Sequence, residues 1–432
     1  MSLPLDIAVV GAGWAGLAAA VEAAREGARV TLFEMAPMAG GRARDVVSHG
    51  GVLDNGQHIC IGAYVETLRL LGIVGVVEED AFARLPLTLV DADGRGLRMR
   101  PGEPLPSFVL AVLGRRGWSW GARIALLRVA SGWRRSGFRC APDRTVAGLT
   151  AALPPAVRRD FIEPLCVAAL NTPAAEASGT VFLRVLRDAL AGQRGAADLL
   201  LPRRGLGEIL PAPALAWLTR TGATIRLTHR VERIESDGAA WRVDGVRADR
   251  VVIAASDVEA ARLALPHAER WTALAATLRH EPIATVYARS AGCILPEPLL
   301  ALRSDDARPA QFVFDRGRLG SDAGLLAFVI SGAATWVERG AHAIETATLA
   351  QGTEQLGRYL GTPLELVRTL VEKRATFACT PGLVRPPMTV APGLFACGDY
   401  IEGPYPATLE GAVRSGVAAA RAAIGRSGEN SA

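Results

Sequence analysis

"IAVVGAGWAGLAAAVEAAREGARVTLFE", residues 7–34, sets the architecture expected of the whole chain. Ile7 to Val10 form an unbroken apolar run, as a strand covered on both faces requires. Gly11, Gly13 and Gly16 follow with G-x-G-x-x-G spacing around Ala12, Trp14 and Ala15. The helix "LAAAVEAAREG" ends at Gly27, a helix-stop glycine. A second strand, Val30 to Phe33, ends in Glu34 and Met35. The unit is strand, helix, strand with an acid at its close, which is how a dinucleotide is bound. Gly11 allows the tight turn, Gly13 lets backbone approach a pyrophosphate, and Gly16 lets helix pack on strand. The helix start offers free N–H groups and a partial positive charge to phosphates. Glu34 is placed to accept from adenosine ribose hydroxyls, and its charge disfavours a 2′-phosphate.

The next stretch, "MAPMAGGRARDVVSHGGVLDNGQHICIGAY" (35–64), separates the nicotinamide and flavin dinucleotides. It carries Gly40-Gly41-Arg42, a short hairpin, then Asp54-Asn55-Gly56-Gln57-His58. A nicotinamide site needs no such insert. On these residues the chain resembles the FAD-dependent amine oxidase and carotenoid-desaturase superfamily. The resemblance implies that Gly41 and Arg42 lie along the pyrophosphate and that Gly56, Gln57 and His58 meet the flavin.

The same resemblance explains "LFACGDYIEGPYPATLEGAVRSG" (394–416), where strand, Gly-Asp turn and helix recur near the end of the chain. In the superfamily the nucleotide domain is assembled from distant pieces. Gly398 and Asp399 would then reach the ribityl or pyrophosphate region, and the helix start at Ala407, Thr408 and Leu409 the pyrimidine edge of the flavin. A helix N-terminus there favours the negative charge of reduced flavin. A third piece, residues 229–256, reads as two strands around Ser236-Asp237-Gly238 and then a buried strand. Its first strand, near Val231, resembles the one that lies against the adenine. The preceding Gly205 and Gly207 lack a strand before them and read as a helix entry.

The expected fold is therefore α/β: a Rossmann-like FAD-binding domain assembled from discontinuous segments 1–75, 200–260 and 388–425, with an amine oxidase-like α+β substrate domain from 76–199 and 261–387. The tail 426–432 reads as disordered. FAD is expected to be non-covalent, with Cys397 a buried structural thiol.

Composition narrows the function. Of 432 residues, half are hydrophobic and 21% charged, so the chain is globular. Mean hydropathy is +0.22, which suits contact with apolar material. No apolar run reaches the ~18–20 residues of a membrane span. "MSLPLDIAVV" lacks the flank and cleavage site of a signal peptide, so a cytoplasmic location is expected. Six scattered cysteines without CxxC spacing argue against zinc or a disulfide framework. The basic charge is almost wholly arginine, Lys373 being the one lysine.

Three strings, "LDNGQHICIGAYVETLRLLG", "FIEPLCVAALNTPAAEASG" and "GDYIEGPYPATLEGAVRSG", resemble one branch, the squalene-associated FAD-dependent proteins, or hydroxysqualene dehydroxylases of hopanoid synthesis. The reaction implied is reductive: protonation of an allylic hydroxyl, loss of water, and hydride from N5 of reduced flavin. The candidate donors of that proton are Glu402, Tyr405, His58 and Cys166, the last lining the pocket with Asn171. Each also has a structural reading: turn residue, flavin packing, backbone donor and core hydrophobe respectively. NAD(P)H or a partner protein would deliver the electrons. Residues 107–139 carry seven arginines, no acid, and Trp118, Trp120 and Trp133. They read either as a peripheral membrane contact or as helix packed in the substrate domain. Nucleic acid is not expected, since no matching module is present. An oxidative isoprenoid desaturase is the nearest rival, and a non-catalytic isoprenoid-binding flavoprotein the rival of another class. An amine oxidase would want a lysine linked through water to N5.

Overall fold

The structure is a computed structural model that describes residues 4–48 and 51–425. The tail read as disordered, 426–432, lies outside the described residues. The opening unit folds as β1 (Asp6–Val10), α1 (Trp14–Arg25) and β2 (Arg29–Phe33), and Gly27 closes the helix at φ +90°. The hairpin follows as β3 (Asp45–Ser48) and β4 (Gly51–Asp54). The basic aromatic stretch forms α2 (Pro104–Gly114) and α3 (Trp120–Arg135), and "EPLCVAAL" forms α4 (Glu163–Leu170).

Further along come β5 (Thr224–Arg226), β6 (Ile234–Asp237), β7 (Ala240–Val243) and β8 (Arg250–Ile253). The first strand of this hairpin starts at Ile234, three residues later than the alternation near Val231 suggests. The Asp244 carboxylate takes the N–H groups of Glu232 and Arg233, at 3.1 and 2.9 Å, which a neighbouring strand would otherwise bind. Gly205 is the N-cap of a short helix, Leu206–Ile209, whose Leu206 N–H donates to Asp54 Oδ1 at 2.8 Å.

Among the described residues, six strands form one sheet in the order β5-β2-β1-β8-β15-β14, where β14 is Thr389–Ala391 and β15 Leu394–Ala396. Its core pairs are parallel: Ile7 faces Arg250 and Val30, and Val251 faces Leu394. Pieces far apart in sequence are thus adjacent strands of one sheet. β1 is sealed on both sides, with Ala8 and Val9 fully buried, which accounts for its unbroken apolar run.

The final helix, α5 (Leu409–Ile424), packs on α1 at backbone range. A Cβ at Gly416 would stand 2.1 Å from the Ala15 carbonyl oxygen and 3.0 Å from Ala18 Cβ. Small residues on both helices permit that approach, and this is why both are rich in alanine.

A second sheet is antiparallel. Its strands are β9 (His280–Arg289), β10 (Leu299–Ala301), β11 (Phe312–Asp315), β12 (Leu325–Ile330) and β13 (Glu365–Phe377), in the order β10-β11-β12-β9-β13. One of its faces turns toward the ends of the parallel strands across a cavity of about 500 Å³.

Candidate functional site

Two glycine loops form one side of the cavity. Gly11 has φ +110°, and a Cβ there would meet the Ala254 carbonyl at 2.6 Å. A Cβ at Gly16 would fall 1.8 Å from Gly11 O, so the α1 start can close on β1 only without one. Gly40 N–H donates to Ala12 O at 2.8 Å, Trp14 Nε1 donates to Ala43 O at 3.1 Å, and a Cβ at Gly41 would lie 3.2 Å from Gly13 Cα. The loops are laced together by backbone, and Gly11, Gly13, Trp14, Ala15, Gly41 and Arg42 line the cavity. Ala12 and Gly16 stand behind them and set the packing. Glu34 is buried at the wall, accepting from Ala12 N–H at 2.7 Å and Ala36 N–H at 2.8 Å; Met35 beside it is exposed.

The late segment supplies the opposite side. Gly398, Asp399, Ala407, Thr408 and Leu409 all line the cavity, as does Val231. Arg42 reaches across to Asp399 and also donates to Ala375 O at 2.8 Å on β13. Thr408 caps α5, its Oγ1 accepting from Gly411 N–H at 3.0 Å. Ala407 is held at φ +56°, a conformation that side chains avoid and that recurs at binding sites.

Beyond the glycine loops the wall becomes apolar. Ile283, Phe312, Phe314, Val329 and Leu370 project from the antiparallel sheet, and Val167 to Leu170 of α4 face them. Gly56, Gln57 and His58 lie where the two halves meet. Both polar atoms of the Gln57 amide are buried without a hydrogen-bond partner. His58 Nδ1 sits 3.1 Å from Gly56 O; a carbonyl can only accept, so Nδ1 carries the hydrogen and Nε2 is left free. Burial pushes the imidazole pKa below its usual value.

The other candidate proton donors stand elsewhere. Glu402 is exposed and off the cavity wall. Tyr405 is buried between the guanidinium groups of Arg184 and Arg414, 5.4 and 5.0 Å from its ring, and burial raises its pKa to about 12. Cys166 points its Sγ back to Thr172 O at 3.5 Å, fully buried, and burial likewise raises its pKa to about 12. Asn171 does line the cavity, but its amide is used as a clasp: it donates to Glu281 O and Thr376 Oγ1 and accepts from Gly332 N–H. Lys373 is exposed on β13 and off the wall.

Several wall residues were invisible in the sequence. Glu372 lines the cavity and accepts from Asn55 Nδ2 at 3.3 Å. Tyr64 and Thr285 also line the cavity. Alternation along β9 and β13 could have flagged Thr285 and Glu372 as facing one way, but nothing said which face.

Comparisons with known proteins agree with this geometry. The chain is 26% identical over 451 residues to a hydroxysqualene dehydroxylase of Sinorhizobium fredii, spanning 98% of this chain and 99% of that one. It is 27% identical to a hydroxysqualene dehydroxylase of Rhodopseudomonas palustris, spanning 95% and 96%. Among solved structures it superposes on an oxidoreductase from Methanosarcina mazei with a TM-score of 0.70 at 16% identity, covering 95% and 98% of the two chains. Residues 14–424 match the family described as flavin containing amine oxidoreductase; the chain belongs to that family and is an FAD-dependent oxidoreductase.

Proposed function

We propose that the chain reductively dehydroxylates a C30 isoprenoid alcohol, hydroxysqualene, to squalene, as a step of squalene and hopanoid synthesis. The end-to-end similarity to hydroxysqualene dehydroxylases carries this reading. The apolar half of the cavity supports it, since a hydrocarbon chain needs such a wall.

The residues present fit a non-covalently held FAD. The glycine loops leave a cradle that side chains would fill, and the orphaned Gln57 amide needs a partner from outside the chain. In this reading Gly11, Gly13, Trp14 and Ala15 hold the pyrophosphate, with Gly41 and Arg42 alongside. Glu34 and Met35 hold the adenosine ribose, and Val231 the adenine. Gly56, Gln57, His58, Gly398, Asp399 and residues 407–409 surround the ring system. Segments 1–75, 200–260 and 388–425 then form the cofactor domain, and 76–199 with 261–387 the substrate domain. When bound, reduced flavin supplies the hydride that replaces the hydroxyl group. NAD(P)H or an electron-donor protein is the proposed external reductant.

The chain's own part is to exclude water and move one proton. The sheet face and α4 keep the reacting carbon dry, so that charge developing there is not quenched by solvent. His58 is the wall group to which we assign the proton. It passes from Nε2 to the hydroxyl oxygen as the C–O bond breaks, and water leaves. Lowered basicity makes its protonated form scarce but a strong donor.

The test is anaerobic. Protein carrying dithionite-reduced flavin is mixed with hydroxysqualene in detergent, and the flavin spectrum is followed while lipid is extracted. Reoxidised flavin with squalene in the extract is the expected result. Flavin that stays reduced would sink the reading, and squalene offered to the oxidised protein then tests the desaturase.

Residues 107–139 support a peripheral membrane role on the cytoplasmic face. Trp118 and Trp133 are core, but Leu110, Trp120 and Ile124 are 56%, 65% and 42% exposed beside exposed Arg116 and Arg128. Basic heads among apolar side chains suit anionic lipid. No helix among the described residues is long and apolar enough to cross a membrane. Flotation with anionic vesicles should fall when Trp120 and Ile124 are changed to Ser; unchanged flotation counts against this contact.

A further inference from the structure

One row of the antiparallel sheet crosses the cavity wall in strict register. Phe312 of β11 pairs with Val329 of β12, Val329 with Thr285 of β9, and Thr285 with Leu370 of β13. Paired residues share a face, and all four line the cavity. Three are hydrocarbon; the fourth carries a hydroxyl. Thr285 is 1% exposed, and its Oγ1 is buried with no hydrogen-bond partner. Valine has the same shape and would spare the fold an unmet hydrogen bond, so packing alone gives no reason for threonine.

The backbone that faces that hydroxyl is a glycine. Gly56, at φ +105°, faces it: a Cβ there would stand 3.8 Å from Thr285 Oγ1 and 3.9 Å from His58 Cε1. A side chain at position 56 would stand against both the Thr285 hydroxyl and the imidazole edge. Gln57, next in sequence, adds an amide with both polar atoms unpartnered. A row that is otherwise hydrocarbon therefore carries one unpartnered hydroxyl, beside Gly56, Gln57 and His58.

We infer that Thr285 is the residue that binds the hydroxyl group of an isoprenoid alcohol, holding its oxygen beside His58, so that the alcohol rather than the parent hydrocarbon is selected. This inference rests on the reading of the apolar cavity as an isoprenoid-alcohol site. A threonine hydroxyl can donate to one lone pair of the alcohol oxygen and leave the other lone pair for a proton. The hydrocarbon product offers no partner, and its release again leaves Oγ1 unmet.

The experiment compares equilibrium binding of hydroxysqualene and squalene to full-length, flavin-loaded protein, read by quenching of intrinsic fluorescence, in wild type, Thr285→Val and Thr285→Ser. Wild type is expected to bind the alcohol more tightly than the hydrocarbon. Thr285→Val should weaken the alcohol about tenfold, leave the hydrocarbon and the flavin content unchanged, and Thr285→Ser should restore most of the preference. Equal weakening of both lipids overturns the inference in favour of a packing role. Loss of flavin from Thr285→Val overturns it in favour of a cofactor contact, and a wild type that binds both lipids equally overturns it outright. Failure of the parent reading looks different: wild type with reduced flavin would leave hydroxysqualene unconverted, whatever the variants bind.

Discussion

Arg42 donates from Nη2 to Asp399 Oδ1 at 2.5 Å, joining residues 357 positions apart. The arginine belongs to the loop after β2 and the aspartate to the turn after β15, so this contact closes the cavity wall between first and last segments. Asp399 is largely buried, while the Arg42 side chain is 39% exposed, so solvent screens the pair in part. Arg42→Met should cost about 1 kcal/mol of stability and, because Asp399 loses its anchor, also loosen the cofactor. Denaturant unfolding with and without added FAD checks this. A variant as stable as wild type that keeps its flavin would show the clasp to be incidental.

Glu34 already spends its carboxylate on Ala12 N–H and Ala36 N–H, which fixes the acid against the first glycine loop. Glu34→Gln keeps the shape but turns one acceptor into a donor facing an N–H. Flavin affinity should fall by about tenfold or more, the worth of a charged hydrogen bond. Fluorescence of released flavin measures it, and unchanged affinity would count against the ribose role.

Gly416 touches the Ala15 carbonyl where α5 crosses α1. Gly416→Ala gains about 1 kcal/mol of helix propensity but forces a Cβ into backbone, at a cost of about 3 kcal/mol. The clash should win, with a net loss near 2 kcal/mol. A melting temperature at or above wild type would mean that the helices slide freely.

Asp54 gives a pH signature. It is buried with Oδ2 3.7 Å from Arg316, and burial raises its pKa from 3.8 to about 6 despite that cation. Between those values the folded chain keeps a proton that the unfolded chain has lost. Stability from this group is therefore present at low pH and declines as pH rises toward 6, by about 3 kcal/mol at most. Asp54→Asn should remove that slope from a plot of unfolding free energy against pH; an unaltered slope assigns the titration to another group.

The parallel sheet and its glycine loops were legible because their physics is local. A buried strand, a turn that only glycine permits and a closing acid occur within residues 7–34. Gly398-Asp399 was legible only as a repeat of that grammar. The apolar half was not. Thr285 and Glu372 owe their places to the register of β9 against β13, which pairs Thr285 with Leu370 and Ile283 with Glu372, and no spacing in the sequence encodes which face meets the cavity. Tyr405 and Cys166 misled for a related reason. Their neighbours in sequence line the cavity, while the side chains turn to Arg184 and to Thr172.

His58 carries the last prediction. Its Nδ1 hydrogen is committed to Gly56 O, so any transferable proton sits on Nε2, and burial keeps that site mostly empty at neutral pH. If His58 is the acid, dehydroxylation under saturating reduced flavin should slow by about tenfold per pH unit above its pKa. His58→Gln should flatten the profile and drop the rate about a hundredfold, the low end of what a positioned acid contributes. The stability sign is opposite to that of Asp54. The unfolded imidazole binds a proton that the folded one refuses, so this group's contribution is full above the ordinary histidine pKa and is lost as pH falls from there through the lower folded value. Low pH should thus speed the reaction while removing the stability that this group contributes. A rate that keeps its pH slope in His58→Gln would move the proton to another wall group, with the Glu372 carboxyl the next to substitute.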